Sequence, residues 1–211
     1  MKVYGHPMST CTRKVLTTLA EKDHPYEFVL VDIMKGAGHT PEYLVRQPWG
    51  QVPVLEEDDG WQLYESRAIV RHLDATLPGA SLTPADPRGR AAMEKWISIE
   101  AANFTPGVMK ILGQLFFARM RGQEPNMDLV EEGRVAVRKA VAVMDRQLAG
   151  QEYLAASFSL ADICFMPYVE YLFMVGEGAL INDAPNVAAW WTRVSERPSW
   201  QKVGGRAAAA S

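Results

Sequence analysis

The sequence predicts an α/β unit built on a mixed four-stranded sheet, followed by an all-helical unit. Three observations predict it. Residues 1–76 alternate short strand-like and helix-like pieces. Residues 77–88 collect Pro78, Gly79, Pro84 and Pro87, the punctuation of a linker. Beyond residue 88 the strand signal disappears and apolar residues recur at helical spacing.

The elements follow in order. Lys2–Gly5 reads as a strand, and residues 12–22 put Val15, Leu16 and Leu19 on one helical face. Residues 26–31 form a second strand. Residues 40–46 form a short helix opened by Thr40-Pro41, a favoured pair of cap and first-turn residue. Residues 54–57 and Gln62–Tyr64 flank Asp59-Gly60, a strong hairpin signal, and residues 66–73 close the unit as a helix. A strand–helix–strand crossover makes the first two strands parallel, whereas the hairpin is antiparallel, so the sheet is mixed. Residues 91–121, 129–148, 159–175, 187–196 and 200–203 then read as the helices of a bundle. Within "SLADI", Ser159 and Asp162 have the spacing of a capping box and are assigned to folding rather than chemistry.

Composition narrows the function. An apolar content of 48% and a charged content of 22% over 211 residues suit an ordinary globular protein. A net charge of −3 offers no basic field for nucleic acid. The opening MKVYGHP lacks the apolar core of a signal peptide, and no apolar run approaches the ~20 residues of a membrane span. A cytoplasmic location is expected. Cys11 and Cys164 make neither a disulfide framework nor a zinc site, and His6, His24, His39 and His72 are too scattered for a metal. "GAGHTP" lacks the third glycine and the setting of a dinucleotide loop. Asn103-Phe104-Thr105 is a glycosylation sequon by pattern alone. No metal, nicotinamide or flavin is expected.

Three stretches of the first unit bear on chemistry. In "HPMSTCTRK", Ser9 precedes the first helix and reads either as its cap or as a donor to an anion at the helix's positive end. In "GQVPVL", Pro53 cannot complete a ladder, a position compatible with a cis bond, and it would leave the Val52 amide and carbonyl open to an extended peptide. In "LYESRAI", Ser66 is either a helix cap or, with Glu65, a holder for a zwitterionic amino-acid head group. The predicted sheet order brings all three to neighbouring loop ends on one edge.

These stretches, with "PEYLVRQPWGQVPVL", "YLAASFSLADI" and "AAWWTRVSERPSWQKV", resemble the cytosolic glutathione transferases over residues 2–203, most nearly the serine-using phi class and its bacterial relatives. The resemblance implies a thioredoxin-like glutathione-binding domain at 1–76, a linker at 77–88 and a helical domain at 89–211 contributing the hydrophobic substrate pocket. It implies glutathione as co-substrate with no further cofactor. Ser9 would donate to the glutathione sulfur. Gln51, Val52 and Pro53 would hold the middle of the tripeptide, and Glu65 and Ser66 its γ-glutamyl end. His39 would hold the glycine carboxylate, while Gly38 replaces a histidine common in the phi pattern. Met8, Ile33, Phe104, Met109, Phe117 and Met120 would line the pocket for the electrophile, with Gly113 leaving room where plant relatives carry bulk. A homodimer is implied, with Trp49 as its apolar key and Arg67 paired across the interface with Glu94 or Glu100. The activity implied is conjugation of the glutathione thiolate to hydrophobic electrophiles. The same scaffold also serves glutathione-dependent peroxidases, dehalogenases, thiol transferases and non-catalytic ligand binders. Some bacterial relatives use a cysteine for mixed-disulfide chemistry, but it aligns with Thr10 rather than Cys11, which also reads as a small buried helix residue.

Overall fold

The computed structural model describes residues 1–208, so the last three residues of the expected helical domain lie outside the described residues. The chain divides into two compact units, Met1–Leu82 with the segment from Glu196 onward, and Thr83–Ser195.

The first unit holds strands β1 (Lys2–Gly5), β2 (Glu27–Leu30), β3 (Val54–Glu56) and β4 (Gln62–Tyr64) in the order β2-β1-β3-β4. β1 and β2 are parallel and joined by α1 (Thr10–Glu21). β3 runs antiparallel to both β1 and β4, and the β3–β4 hairpin turns at Asp59-Gly60. The short α2 (Pro41–Leu44) is capped by Thr40, whose hydroxyl accepts from the Tyr43 amide. Helix α3 (Ser66–Thr76) packs on α1. Val15, Leu16 and Leu19 of α1 and Ile69, Val70 and Leu73 of α3 are buried with Val3, Val54 and Leu55 of the sheet. That burial is the main favourable term for the unit.

Polar ties complete it. Lys22 meets Asp74 at 2.6 Å with both side chains almost wholly buried, and its ammonium also donates to the Asp74 and Ala80 carbonyls. A buried charge pair is tolerable because its remaining hydrogen-bonding capacity is met in this way. Residues 200–203 were expected as a helix, and it is observed as α10 (Pro198–Ala208), which packs on α1. Arg197 grips the Glu21 carboxylate with two bonds of 2.8 Å, the Ser199 hydroxyl donates to the same group, and the Arg13 guanidinium lies 4.4 Å above the Trp200 ring.

The second unit is helical: α4 (Pro87–Ile99), α5 (Thr105–Leu112), α6 (Met127–Leu148), α7 (Leu160–Met174), α8 (Ala179–Asn182) and α9 (Pro185–Ser195). The single helix expected over residues 91–121 is instead interrupted by π-helical turns at Glu100–Phe104 and Gly113–Ala118. Pro106 gives the reason at the first turn, since a proline has no amide to donate and its ring crowds the preceding turn. Helices α5 and α6 meet at Gly107 and Gly133, where a Cβ on Gly133 would lie 2.8 Å from the Gly107 carbonyl oxygen. A cavity of about 510 Å³ lies beside this crossing, lined by Ala102, Pro106, Gly107, Ala136, Ala140 and Val143 among others. Helix α7 is buried on nearly every side, in keeping with a sequence that is apolar all round apart from Asp162 and Glu170. The capping box of Ser159 and Asp162 forms as expected. The Asp162 carboxylate additionally takes the Leu154 amide at 3.1 Å and the Trp190 indole at 2.8 Å, joining the start of α7 to α9. No helix among the described residues is long and apolar enough to cross a membrane.

Glu21 lies below the ordinary carboxyl range: burial pushes it up, but the hydrogen bonds from Arg197 and Ser199 and the charge of Arg197 outweigh that. A carboxyl depressed in the folded state stabilises it above the unfolded pKa and loses that contribution as the pH falls. Glu21→Gln should therefore cost about 2 kcal/mol at pH 7, the scale of charge-assisted bonds. The gap to the parent should narrow in urea unfolding as the pH falls through and below the ordinary carboxyl range, where the parent carboxyl takes up its proton. An equal deficit at pH 7 and in acid would contradict this.

Candidate functional site

Sheet register sets where the candidate residues meet. Tyr4 pairs with Val54 and Val54 with Tyr64, so the ends of β1 and β4 and the start of β3 share one end of the sheet. Gly5 opposite Leu30 adds the end of β2. The loop carrying Met8 and Ser9, the loop carrying Ile33 and His39, the Gln51–Pro53 approach and the Glu65-Ser66 exit all depart from that end.

Ser9 is the N-cap of α1, and its hydroxyl oxygen accepts from the Thr12 amide at 3.2 Å. The Ser9 amide donates to the His6 carbonyl, and His6 Nδ1 accepts from the Met8 amide at 3.2 Å, closing the turn before the helix. Burial pulls the His6 pKa down, against the opposite pull of Asp32, which suits a neutral ring with a free lone pair for that bond. The two sequence readings of Ser9 are thus compatible. Capping uses a lone pair of the oxygen, and the hydroxyl proton is donated to no described residue. The first turn of α1 carries no acidic residue, so the positive potential of its end is not neutralised locally.

The approach to β3 leaves a backbone edge open. The Val52–Pro53 bond is cis, and the ladder with β1 starts only at Val54. Neither the amide nor the carbonyl of Val52 has a partner among the described residues, although the residue is only 8% exposed. Backbone groups in such surroundings are nearly always paired, so this edge calls for a ligand or solvent partner. Gln51, beside it, is exposed.

Glu65 adopts φ +73° and ψ +104°, a conformation that side chains seldom occupy, on the step from β4 into α3. Such residues cost on the order of 1–3 kcal/mol and concentrate at binding sites. The Glu65 carbonyl accepts from the Ala68 and Ile69 amides, fixing the first turn, while its exposed carboxylate has no partner among the described residues. The capping reading of Ser66 does not hold: Ser66 is the first helical residue, and Glu65 occupies the cap position without a side-chain capping bond. Ser66 is 4% exposed.

His39 is exposed on a single helical turn, Ala37–His39, with its ring against Gly50. Gly38 is buried, and a Cβ there would lie 2.3 Å from the Gly50 carbonyl oxygen. No side chain fits at position 38 without moving that loop.

Comparison with known proteins decides the family. The N-terminal domain of glutathione S-transferase matches residues 3–81, and the C-terminal domain matches residues 108–198. Glutathione S-transferase F13 of Arabidopsis thaliana is 37% identical over 210 residues, covering 96% of this chain and 94% of that one. The chain belongs to the glutathione S-transferase family. The crystal structure of glutathione transferase F7 from Populus trichocarpa superposes with a TM-score of 0.91 at 35% identity, covering 97% of each chain. Glutathione S-transferase I from maize, in complex with an atrazine glutathione conjugate, gives a TM-score of 0.89 at 33% identity, covering 97% of this chain and 96% of that one. These relatives are plant enzymes of the phi class, and the first unit of the transferase has the thioredoxin-like fold that the resemblance implied.

The remaining candidates of this transferase divide by burial. Phe104 has no exposed surface; its ring packs 5.0 Å from Phe165, so it is a core residue with no face to offer a substrate. Met109 and Met120 are exposed at 40% and 53%, and Phe117 is half-buried against Phe116. In the first unit Met8 and Ile33 are half-buried, Ile33 against the apolar cluster containing Val31, Val52 and Val54. Trp49 is 70% exposed and Arg67 is half-buried at the start of α3. Glu100 is wholly buried and accepts from the Thr105 hydroxyl at 2.5 Å, whereas Glu94 is half-buried. Cys11 is half-buried in the first turn of α1. Sequence reasoning overlooked His6, whose only signal was its place between strand and helix beside a proline.

Because Glu65 holds a glycine-like backbone conformation, Glu65→Gly should stabilise the transferase against thermal unfolding by about 1 kcal/mol. A lower melting temperature for that variant would show that the conformation carries no strain.

Proposed function

We propose that the chain is a glutathione transferase in which Ser9 keeps the glutathione sulfur anionic for attack on a hydrophobic electrophile. The observation that carries this reading is the unpaired Val52 amide and carbonyl, at the sheet end that also bears Ser9 and Glu65. An extended peptide pairs with such an edge through its own backbone. Glu65 then takes the ammonium of the γ-glutamyl end, and Ser66, at the start of the eleven-residue α3, takes its carboxylate. Gln51 holds the middle of the tripeptide and His39 its glycine carboxylate. Domain roles follow the sequence expectation, with residues 1–76 binding the tripeptide and the helical residues from 89 onward serving the electrophile. Met8 and Ile33 are the apolar candidates of the first unit for the electrophile, and Met109, Phe117 and Met120 those of the second. Phe104 is not carried into this set. Conjugation is favoured over the peroxidase, dehalogenase, thiol-transferase and carrier alternatives by the intact serine and by relatives named for transfer. The location proposed is the cytoplasm.

The chemistry is a question of ionisation. A free thiol with a pKa of ~8.5 is only about 3% thiolate at pH 7. Lowering it to ~6.5 takes about 2.7 kcal/mol of selective stabilisation of the anion. A serine hydroxyl donating to sulfur, beside an unneutralised helix end, supplies an effect of that order. Ser9 needs to be neither a base nor a covalent nucleophile.

Ser9→Ala should raise the pH at which bound glutathione ionises by one to two units, with affinity within a few-fold, whereas Ser9→Thr should retain the parent midpoint. Titration of thiolate absorbance in the complex reads this directly, and an unmoved midpoint in Ser9→Ala would remove Ser9 from the mechanism. Dimerisation is proposed through Trp49, since an exposed indole on a loop is a typical interface anchor. The apolar cavity beside the α5–α6 crossing of the second copy has small-residue walls suited to receive a ring. Trp49→Ala should sediment as a monomer at micromolar concentration where the parent sediments as a dimer; an unchanged dimer would exclude this anchor.

A further inference from the structure

Between the end of α2 and the start of β3 the chain runs nine residues, 45–53, without regular structure, yet all but one of its backbone amides are paired. The amides of Val45, Arg46, Gln47 and Gly50 donate to backbone carbonyls of this segment or of α2. Two side chains supply the rest. Gln47 Oε1 accepts from the Trp49 amide at 2.6 Å and from the Gln51 amide at 3.4 Å. The Tyr43 hydroxyl donates to the Gln51 carbonyl at 2.7 Å. The one amide of this segment without a partner among the described residues is that of Val52, the residue with the open edge.

Both side chains are interior groups, with Tyr43 6% and Gln47 2% exposed. Tyr43 belongs to the apolar cluster that also holds Val31, Val52 and Val54, and its hydroxyl is tied to the Gln51 carbonyl. Burial pushes the Tyr43 phenol up to about 12, which keeps it a donor throughout the neutral range. Gln47 joins two functions, since one oxygen holds the amide of Trp49 and that of Gln51.

We propose that Tyr43 and Gln47 are positioning residues that hold the Gln51–Val52 backbone in register for glutathione. This rests on the glutathione reading of the Val52 edge. Neither side chain is assigned a contact with the ligand; their effect is to remove the freedom the edge would otherwise lose on binding. A preformed edge spares the ligand that ordering cost, so loosening it weakens binding without touching the reacting sulfur. Gln47 also keeps the Trp49 loop and the peptide edge in one fixed relation.

The test uses the full-length protein with Tyr43→Phe, Gln47→Met and Gln47→Glu, the last retaining an oxygen acceptor. In Tyr43→Phe and Gln47→Met, the Kd for glutathione should rise about three- to tenfold, the scale of one lost hydrogen bond. Turnover at saturating glutathione and the ionisation midpoint of the bound thiol should stay at parent values. Amide hydrogen exchange over residues 49–52 should accelerate in both variants without ligand, and Gln47→Glu should exchange nearer the parent. Exchange and Kd unchanged from the parent would overturn the positioning role while leaving the glutathione reading intact. A fall in turnover with no change in Kd would overturn it as well. A parent protein that failed to bind glutathione would instead refute the reading of the edge itself.

Discussion

The site depends on where the β3 ladder is forced to begin. Proline has no amide hydrogen, so Pro53 cannot extend the pairing of β3 with its neighbours, and the first paired residue is Val54. In a mixed sheet of this order the start of β3 coincides with the ends of β1 and β4. The interruption therefore falls beside the N-terminus of α1 and the Glu65 step into α3. An open backbone edge, a helix end and an uncommitted carboxylate thus come from three distant stretches of chain through a single register.

In the proposed function, chemistry and folding share residues rather than dividing them. Ser9 caps α1 with its oxygen, and the cap would fix the direction from which its hydroxyl donates. Glu65 holds the first amides of α3 with its carbonyl while its side chain stays uncommitted. The cost is a backbone conformation that glycine would tolerate better, and it is met by the buried face of α3, where Ile69, Val70 and Leu73 are inaccessible to solvent. Local strain of this kind persists only when surrounding packing outweighs it.

The same economy holds away from the site. Glu21 at the end of α1 gathers Arg197 and Ser199, so the chain's last described helix is bound to the first unit by charge-assisted bonds around one carboxylate. Asp162 does the equivalent in the second unit, taking the cap of α7 and the indole of α9 together. In each case an acidic residue at a helix end holds a distant segment, and Asp162, at an N-terminus, also serves its own helix.

Much of the architecture was legible because it is local. Alternation, helical spacing, Thr40-Pro41, Asp59-Gly60 and the Ser159/Asp162 box each act within a few residues and produced the expected elements, apart from the helix over residues 91–121 that π-helical turns interrupt. The four-strand mixed sheet followed from the order of those elements. Pro53 likewise announced an interrupted ladder, because a missing amide is a property of the residue itself. Tertiary structure decided what depends on neighbours distant in sequence. Whether Ser66 caps or starts its helix turned on the path out of β4. Whether Phe104 and Glu100 reach the surface turned on the packing around a π-helical turn. That Gly38 admits no side chain depends on Gly50 arriving from another loop. Sequence determines bonding capacity and periodicity, but burial and close approach are properties of pairs, and only the folded chain brings the pairs together.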